Sequence, residues 1–466
     1  MIAFILLLST CLWISSGDAY ELTQPEQIHL SYGVDPTQMI VTWVTMDSTP
    51  QTTVEFGRSP TDLNTVTQGY ANRFTDGGTE HRVMYIHRVV MTGLTPDGTY
   101  FYHCGSDSGG WSSVYWFKAM KEGNSWSPYF AIIGDLGNVN GVSIPYLQKE
   151  VSKGKYDAVL HIGDFAYDMD SDNARVGDEY MRQMEPIAAY VPYMTVVGNH
   201  EAAYNFSNYE NRFTMIDHTS GQMNNHFYSY NVGPIHFIVF SSEYYYYVDF
   251  GWNQIDVQYK WLENDLKEAT KPENRAVRPW IITMAHRPMY CSTDDSDDCT
   301  RKESIIRKGI PVVKAYGLED LFYQYGVDVE IWAHEHIYER MWPVYDRHVY
   351  NGSVGDPYTN PKAPLNQMWP VYDRHVYNGS VGDPYTNPKA PVHFITGSAG
   401  CQEDIDPFVP NPPPWSAVRI RDYGYTQMKV WNHSVIDFTQ ISSDKGGVVV
   451  DKFTVVKEKH GPEAWL

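Results

Sequence analysis

The chain of 466 residues is poor in cysteine, poor in basic residues and nearly free of long apolar runs. Five cysteines are too few for a disulfide-built scaffold, so an ordinary hydrophobic core has to hold the fold. Lys and Arg number 35 against 56 Asp and Glu, a net charge of −21. A surface of that sign excludes nucleic acid and anionic membranes as partners, because both need clustered cations. A phosphate-binding site in such a protein needs a local source of positive charge, and bound metal would supply it. The one marked apolar stretch, Ile2 to Ile14, is shorter than the roughly 20 residues that cross a bilayer. With Gly17 and Ala19 before Tyr20 it reads as a cleaved secretory signal over residues 1–19, although the usual leading positive charge is missing. No later run is long and apolar enough for a membrane span, so a soluble, secreted protein is expected, with the lysosome as the alternative destination.

Aromatics make up 15% of the chain, with 36 Tyr, which excludes disorder by composition. Once Cys11 leaves with the signal, Cys104, Cys291, Cys299 and Cys401 remain, an even number in an oxidising compartment. Cys291 and Cys299 close a short loop and are the expected disulfide. For Cys104 and Cys401, pairing and buried thiols both stand. Sequons at Asn205, Asn351, Asn378 and Asn432 suit a glycosylated, exported protein.

Residues 20–122 read as strands alone. Gln27-Ile-His-Leu-Ser-Tyr and Met39-Ile-Val-Thr-Trp-Val alternate. His87-Arg-Val-Val-Met, the turn at Gly93-Leu-Thr-Pro-Asp-Gly and Thr99-Tyr-Phe-Tyr give strand, turn, strand. Short strands at regular spacing predict a β-sandwich with a structural or docking role. Lys121 to Ser127 is a polar linker, after which strands alternate with helices. Tyr129 to Ile133, Ala158 to Ile162, Val191 to Val197, His236 to Phe240, Trp280 to Ala285 and Val327 to Ala333 read as strands. Glu179 to Tyr190 and Gln258 to Ala269 read as helices. That pattern predicts an α/β domain with its site at the C-terminal ends of the strands. From Val392 the chain is β-rich again, with a Pro-rich loop at Pro407 to Pro414.

Residues 341–364 and 368–391 are the same 24 residues, MWPVYDRHVYNGSVGDPYTNPKAP, without a single difference. Repeat arrays need three or more units, so this is a recent tandem duplication or an assembly error rather than a solenoid. One copy is expected to be redundant and looped out, and the His348 and His375 pair is a copying product.

Five strand-end motifs carry chemistry: GDLG with Asp135, GDFAY with Asp164 and Tyr167, GNHE with Asn199 and His200, MAHRP with His286, and AHEH with His334 and His336. A tyrosine after a strand is usually packing, and a buried histidine usually a satisfied core residue. Hard oxygen donors and imidazoles at five successive strand ends are the pattern of a metal site. Together these residues resemble the metallophosphoesterase motif set in the form used by purple acid phosphatases. The Tyr of GDFAY marks that form. Tyr338-Glu339-Arg340 and Pro391-Val-His-Phe-Ile-Thr-Gly-Ser-Ala-Gly-Cys401 resemble its long animal branch.

The resemblance implies a four-layer α/β/β/α catalytic sandwich over 123–391, preceded by a fibronectin-III-like β-sandwich over 20–122. Residues 392–466 would form a C-terminal segment packed on the catalytic domain. It implies ferric iron on Asp135, Tyr167 and His336, and divalent iron, zinc or manganese on Asn199, His286 and His334, with Asp164 bridging. A metal-bound hydroxide would attack a small phosphate monoester, and His200 would protonate the leaving group or hold the phosphate. Arg287 is a candidate phosphate contact. Two features depart from the family. Ala333 replaces the leading glycine of the GHxH motif, and Asp294, Asp295, Asp297 and Asp298 stand where plant relatives carry adjacent histidines. Those acids are expected to be a solvated loop; leaning over the site, they would repel highly charged substrates. Two other readings stay open: a dizinc enzyme acting on diesters or nucleotides, and a secreted glycoprotein whose metal is only structural. The sequence carries no signature of oligomeric state.

Overall fold

The computed structural model describes residues 22–251, 253–311, 315–350 and 384–465, with the backbone of 371–372 and 375–376. The signal over 1–19, Cys11 and the sequons at Asn351 and Asn378 lie outside the described residues.

Two β-sheets form the N-terminal sandwich. One holds the strands Glu26–Tyr32, Met39–Thr45, Val83–Met91 and Tyr70–Thr75 in that order. The other is built on Thr65–Gln68, Thr53–Gly57 and Thr99–Ser106. Alternation in Met39–Thr45 implies one covered face, yet every residue of this strand is buried. The reason is a second layer of contact. The α/β domain covers the outer face, where Ser31 Oγ donates to Thr214 O at 2.7 Å and Thr42 Oγ1 lies 2.8 Å from Thr214 Oγ1. Buried Asp178 ties the two parts further, pairing with Arg82 of the sandwich and, at 2.9 Å, with Arg212.

The core of the α/β domain is two sheets face to face. The first runs Tyr193–Val196, Ala158–Ile162, Tyr129–Ile133, Gly424–Val430, Val435–Ser442, Val448–Val456. The second runs Tyr228–Val232, Ile235–Val239, Trp280–Met284, Val329–Trp332, Val392–Thr396, Tyr338–Met341, Ser416–Ile420. Period-2 alternation sorts the second sheet's side chains. Phe237, Ile282, Ile331 and Phe394 point inward to the first sheet, and Phe130 meets Phe237 edge-on at 5.3 Å. Ile238, Ile281, Trp332 and Ile395 point outward into a second cluster under the helix Asn253–Ala269. That helix offers Ile255, Leu262, Leu266 and Ala269 as its buried stripe. Its outer face carries the Lys260–Asp256 and Lys267–Glu263 pairs four residues apart. The C-terminal segment is woven into both sheets rather than laid upon them: Gly424–Val430 pairs antiparallel with Tyr129–Ile133, and Val392–Thr396 parallel with Val329–Trp332.

Candidate metal centre

The parallel strands Tyr129–Ile133, Ala158–Ile162 and Tyr193–Val196 of one sheet, and Trp280–Met284 and Val329–Trp332 of the other, all end at one edge. There the turns that follow bring Asp135, Asp164, Tyr167, Asn199, His286, His334 and His336 together. The chain approaches closely at two points. Gly163 has φ +81°, and a Cβ on it would lie 2.5 Å from His286 Nδ1. Ala333, which replaces the motif glycine, buries its methyl against Gly134, where an added Cβ would sit 2.5 Å away. The pair is one methyl short of a clash, which explains why alanine is tolerated.

Two groups of donor atoms form. In the first, Tyr167 Oη is 2.8 Å from His336 Nε2 and 3.4 Å from Asp135 Oδ1, and His336 Nε2 is 3.7 Å from Asp135 Oδ1. In the second, His286 Nε2 is 3.1 Å from Asn199 Oδ1 and 3.0 Å from Asp164 Oδ2. Donor atoms of Asp164, His286 and His334 fall within 4.8 Å of one another. Ligands sharing an ion at about 2.0–2.2 Å stand roughly 3–3.5 Å apart, so the donor set fits two adjacent ions.

The electrostatics carry the same message. Burial, then the Asp164 charge, pushes the Asp135 carboxyl well above its usual range. Burial also pushes Asp164 up, but His286, His200 and His334 outweigh it and hold its carboxyl low. Burial, Asp135 and Asp164 push the Tyr167 phenol far up. Two buried carboxylates beside a phenol are costly on their own, and a cation reverses that cost. His286 Nδ1 lies 2.8 Å from Ile162 O and His336 Nδ1 3.2 Å from Asp404 O. Each backbone acceptor fixes the proton on Nδ1 and leaves Nε2 for the cluster.

His200 stands beside the donors. Its ring lies 4.5 Å from that of Tyr167, its N–H donates to Asp164 Oδ1 at 3.0 Å, and Nδ1 is 2.9 Å from Asp168 Oδ1. Burial lowers this imidazole, but the Asp168 hydrogen bond and the Asp164 and Glu201 charges prevail and raise it to about 9. Arg287 lies at the edge of the cluster with its guanidinium taken up: Nε donates to buried Glu243 at 2.9 Å, and the group sits 4.5 Å above the Tyr246 ring. The expected disulfide joins Cys291 and Cys299, and Cys104 and Cys401 are buried free thiols. Asn205 and Asn432 are exposed.

Sequence reasoning gave Glu201 no role, although it closes GNHE. It is buried and accepts N–H from Gly198 at 2.9 Å, Asp164 at 3.0 Å and Phe165 at 3.0 Å, locking two motif turns together. A carboxylate beside Asn-His, in a chain segment too tight for solvent, was its only signal. The acidic loop was expected in solvent, yet Asp297 reaches the site, with Oδ2 2.6 Å from His334 Nε2.

A face-to-face pair of sheets with carboxylate, amide and imidazole donors on one edge defines a metallophosphoesterase. The sequence agrees, matching the calcineurin-like phosphoesterase family over 128–338. It also matches the purple acid phosphatase N-terminal domain over 25–119 and the iron/zinc purple acid phosphatase-like C domain over 390–452. The chain belongs to the purple acid phosphatase family and is an enzyme, an acid phosphatase. It is 52% identical to acid phosphatase type 7 of Danio rerio over 447 residues, covering 95% of this chain and 94% of that one. To acid phosphatase type 7 of Homo sapiens it is 49% identical, with 95% and 93% covered. The solved purple acid phosphatase PPD1 of yellow lupin seeds shares its fold, with a TM-score of 0.69 at 23% identity, over 93% of this chain and 74% of that chain. The family works through a dinuclear metal centre.

Proposed function

We propose that the protein is an exported phosphatase of phosphate monoesters. In this reading Asp135, Tyr167 and His336 would hold ferric iron, Asn199, His286 and His334 would hold divalent iron, zinc or manganese, and Asp164 would serve both. Two ions held there would supply positive charge against the phosphate and make a bound water more acidic. A neutral amide and two imidazoles on the divalent side leave net positive charge for an anionic substrate. Carboxylate and phenolate suit the harder ion. His200 has Nδ1 anchored on Asp168, so Nε2 is the atom that would protonate the leaving alkoxide or hold the phosphate.

The observation that carries this reading is the Tyr167 phenol, 2.8 Å from His336 Nε2 inside the donor set. A dizinc enzyme has no use for a phenolate there. The exposed sequons at Asn205 and Asn432 and the Cys291–Cys299 bond support export. No helix among the described residues is long and apolar enough to cross a membrane.

Metal analysis and p-nitrophenyl phosphate turnover across pH test the proposal together. The expected result is about two metals per chain, an acid optimum and a visible band that Tyr167→Phe abolishes. Asp164→Asn should lose metal and activity together. A colourless, fully active protein would replace this reading by the dizinc one.

A further inference from the structure

Three histidines face the candidate metal centre, and each needs an acceptor on its outer nitrogen to present the inner one. His286 and His336 use backbone carbonyls, at Ile162 and Asp404. His334 does not. Its Nε2 meets two side chains of opposite demand: Asp297 Oδ2 at 2.6 Å, which can only accept, and Arg287 Nη1 at 2.8 Å, which can only donate. Its Nδ1 has no hydrogen bond among the described residues. A cation on Nε2 would stand against the guanidinium, so Nδ1 is the nitrogen open to the ion. Nδ1 offers a lone pair only when the proton sits on Nε2, and that proton needs Asp297. Donation from Arg287 would select the opposite tautomer and close Nδ1 to metal.

We propose that Asp297 is a positioning residue for the divalent ion: it accepts Nε2–H of His334 and so holds that ring in its metal-binding tautomer. This deepens the dinuclear reading above and rests on it. The sequence sets the aspartate in a loop with few conformations open to it. Cys291 and Cys299 close that loop by a disulfide. Thr293 hydrogen-bonds Glu335, and Asp294 N donates to Pro407 O at 2.7 Å. Asp297 Oδ1 accepts from Asp298 N at 2.6 Å, which aims Oδ2 at the histidine. Arg287 Nη1 also lies 3.5 Å from Asp297 Oδ2, so with the proton on Nε2 the guanidinium has the carboxylate as its partner.

The test uses the full chain loaded with iron and zinc. Zinc affinity is measured by chelator competition, and the ferric centre is followed by its visible band. Asp297→Asn should weaken zinc about 10–100-fold and leave the band unchanged. Asp297→Glu should recover part of the affinity, and Asp295→Asn on the same loop should match the native protein. Native zinc affinity in Asp297→Asn, in a protein that holds two metals, overturns the positioning role and leaves the dinuclear reading intact. Loss of the ferric band together with zinc in that variant also overturns it, because the effect would then be general damage. A native protein that binds no second ion overturns the dinuclear reading itself.

Discussion

At the scale of single residues, the centre is held under backbone strain. Asp135, Asp164, Tyr167 and His334 have φ of 55°, 54°, 53° and 69°, a left-handed conformation that costs a non-glycine residue about 1–3 kcal/mol. Such strain persists only where neighbours over-determine the turn. Glu201 is one such neighbour, with three backbone N–H groups on one carboxylate. Glu201→Gln turns an amide donor toward one of those N–H groups and strands it. The expected cost is about 1–3 kcal/mol, read as a lower urea midpoint, with weaker metal retention on dialysis; unchanged values for both would show that the turns hold themselves. The ligand candidates were legible because each sits in a short strand-then-turn motif, where local sequence decides geometry. Glu201 and Asp297 were not, since their roles depend on which turn or ring a folded neighbour brings to them. The motifs name the donor and leave its partner unspoken.

Among the elements, strands were read more reliably than sheets. Tyr129–Ile133 and Ala158–Ile162 stand where the apolar runs put them, but no pattern in the sequence places Gly424–Val430 beside Tyr129–Ile133. That pairing spans the whole catalytic domain, and sequence periodicity is blind to it. The duplicated segment is informative in the same way. Besides the backbone of 371–372 and 375–376, which repeats the short hairpin of 344–345 and 348–349, its described residues are 341–350 from the first copy and 384–391 from the second, non-overlapping parts of one 24-residue unit. They pack together: Tyr385 Oη donates to Met341 O at 2.9 Å and receives Arg340 Nη1 at 2.6 Å, and Trp342 stacks on Tyr385 at 5.7 Å. Deleting 365–391 leaves one complete unit that supplies both parts. The shortened chain should melt within about 2 °C of the parent and keep its phosphatase activity. A markedly lower melting temperature would show that both copies are structural.

For the whole molecule, the notable quantity is buried neutral histidine. Burial lowers His29, His87 and His218 to about 4 and His393 to about 3. His87 is representative, stacked on Trp43 at 4.9 Å and held by Thr45 and Thr52. Its folded value lies below the unfolded 6.5, so the unfolded chain binds more protons between the two. Its contribution is therefore complete above pH 6.5 and is lost as pH falls from 6.5 to about 4. The loss is of the order of 3 kcal/mol for this residue. His87→Gln should show a smaller drop in urea midpoint between pH 7 and pH 4.5 than the parent. Equal drops would mean that other groups govern acid stability. If the proposed acid optimum holds, the enzyme works on the descending side of its own stability curve.

The weaving of the C-terminal strands into the catalytic sheets has a consequence for how the molecule is born. The N-terminal sandwich leaves the ribosome with its own partners in hand and can close early. The strand Tyr129–Ile133, which leads into Asp135, cannot: it emerges nearly three hundred residues ahead of Gly424–Val430, the neighbour that covers its open side. Until Gly424–Val430 has been made, the nascent sheet exposes an unpaired edge of apolar residues. Synthesis of the Asp135 motif and completion of the sheet beneath it are therefore separate events, set apart by the whole stretch of chain between the two strands.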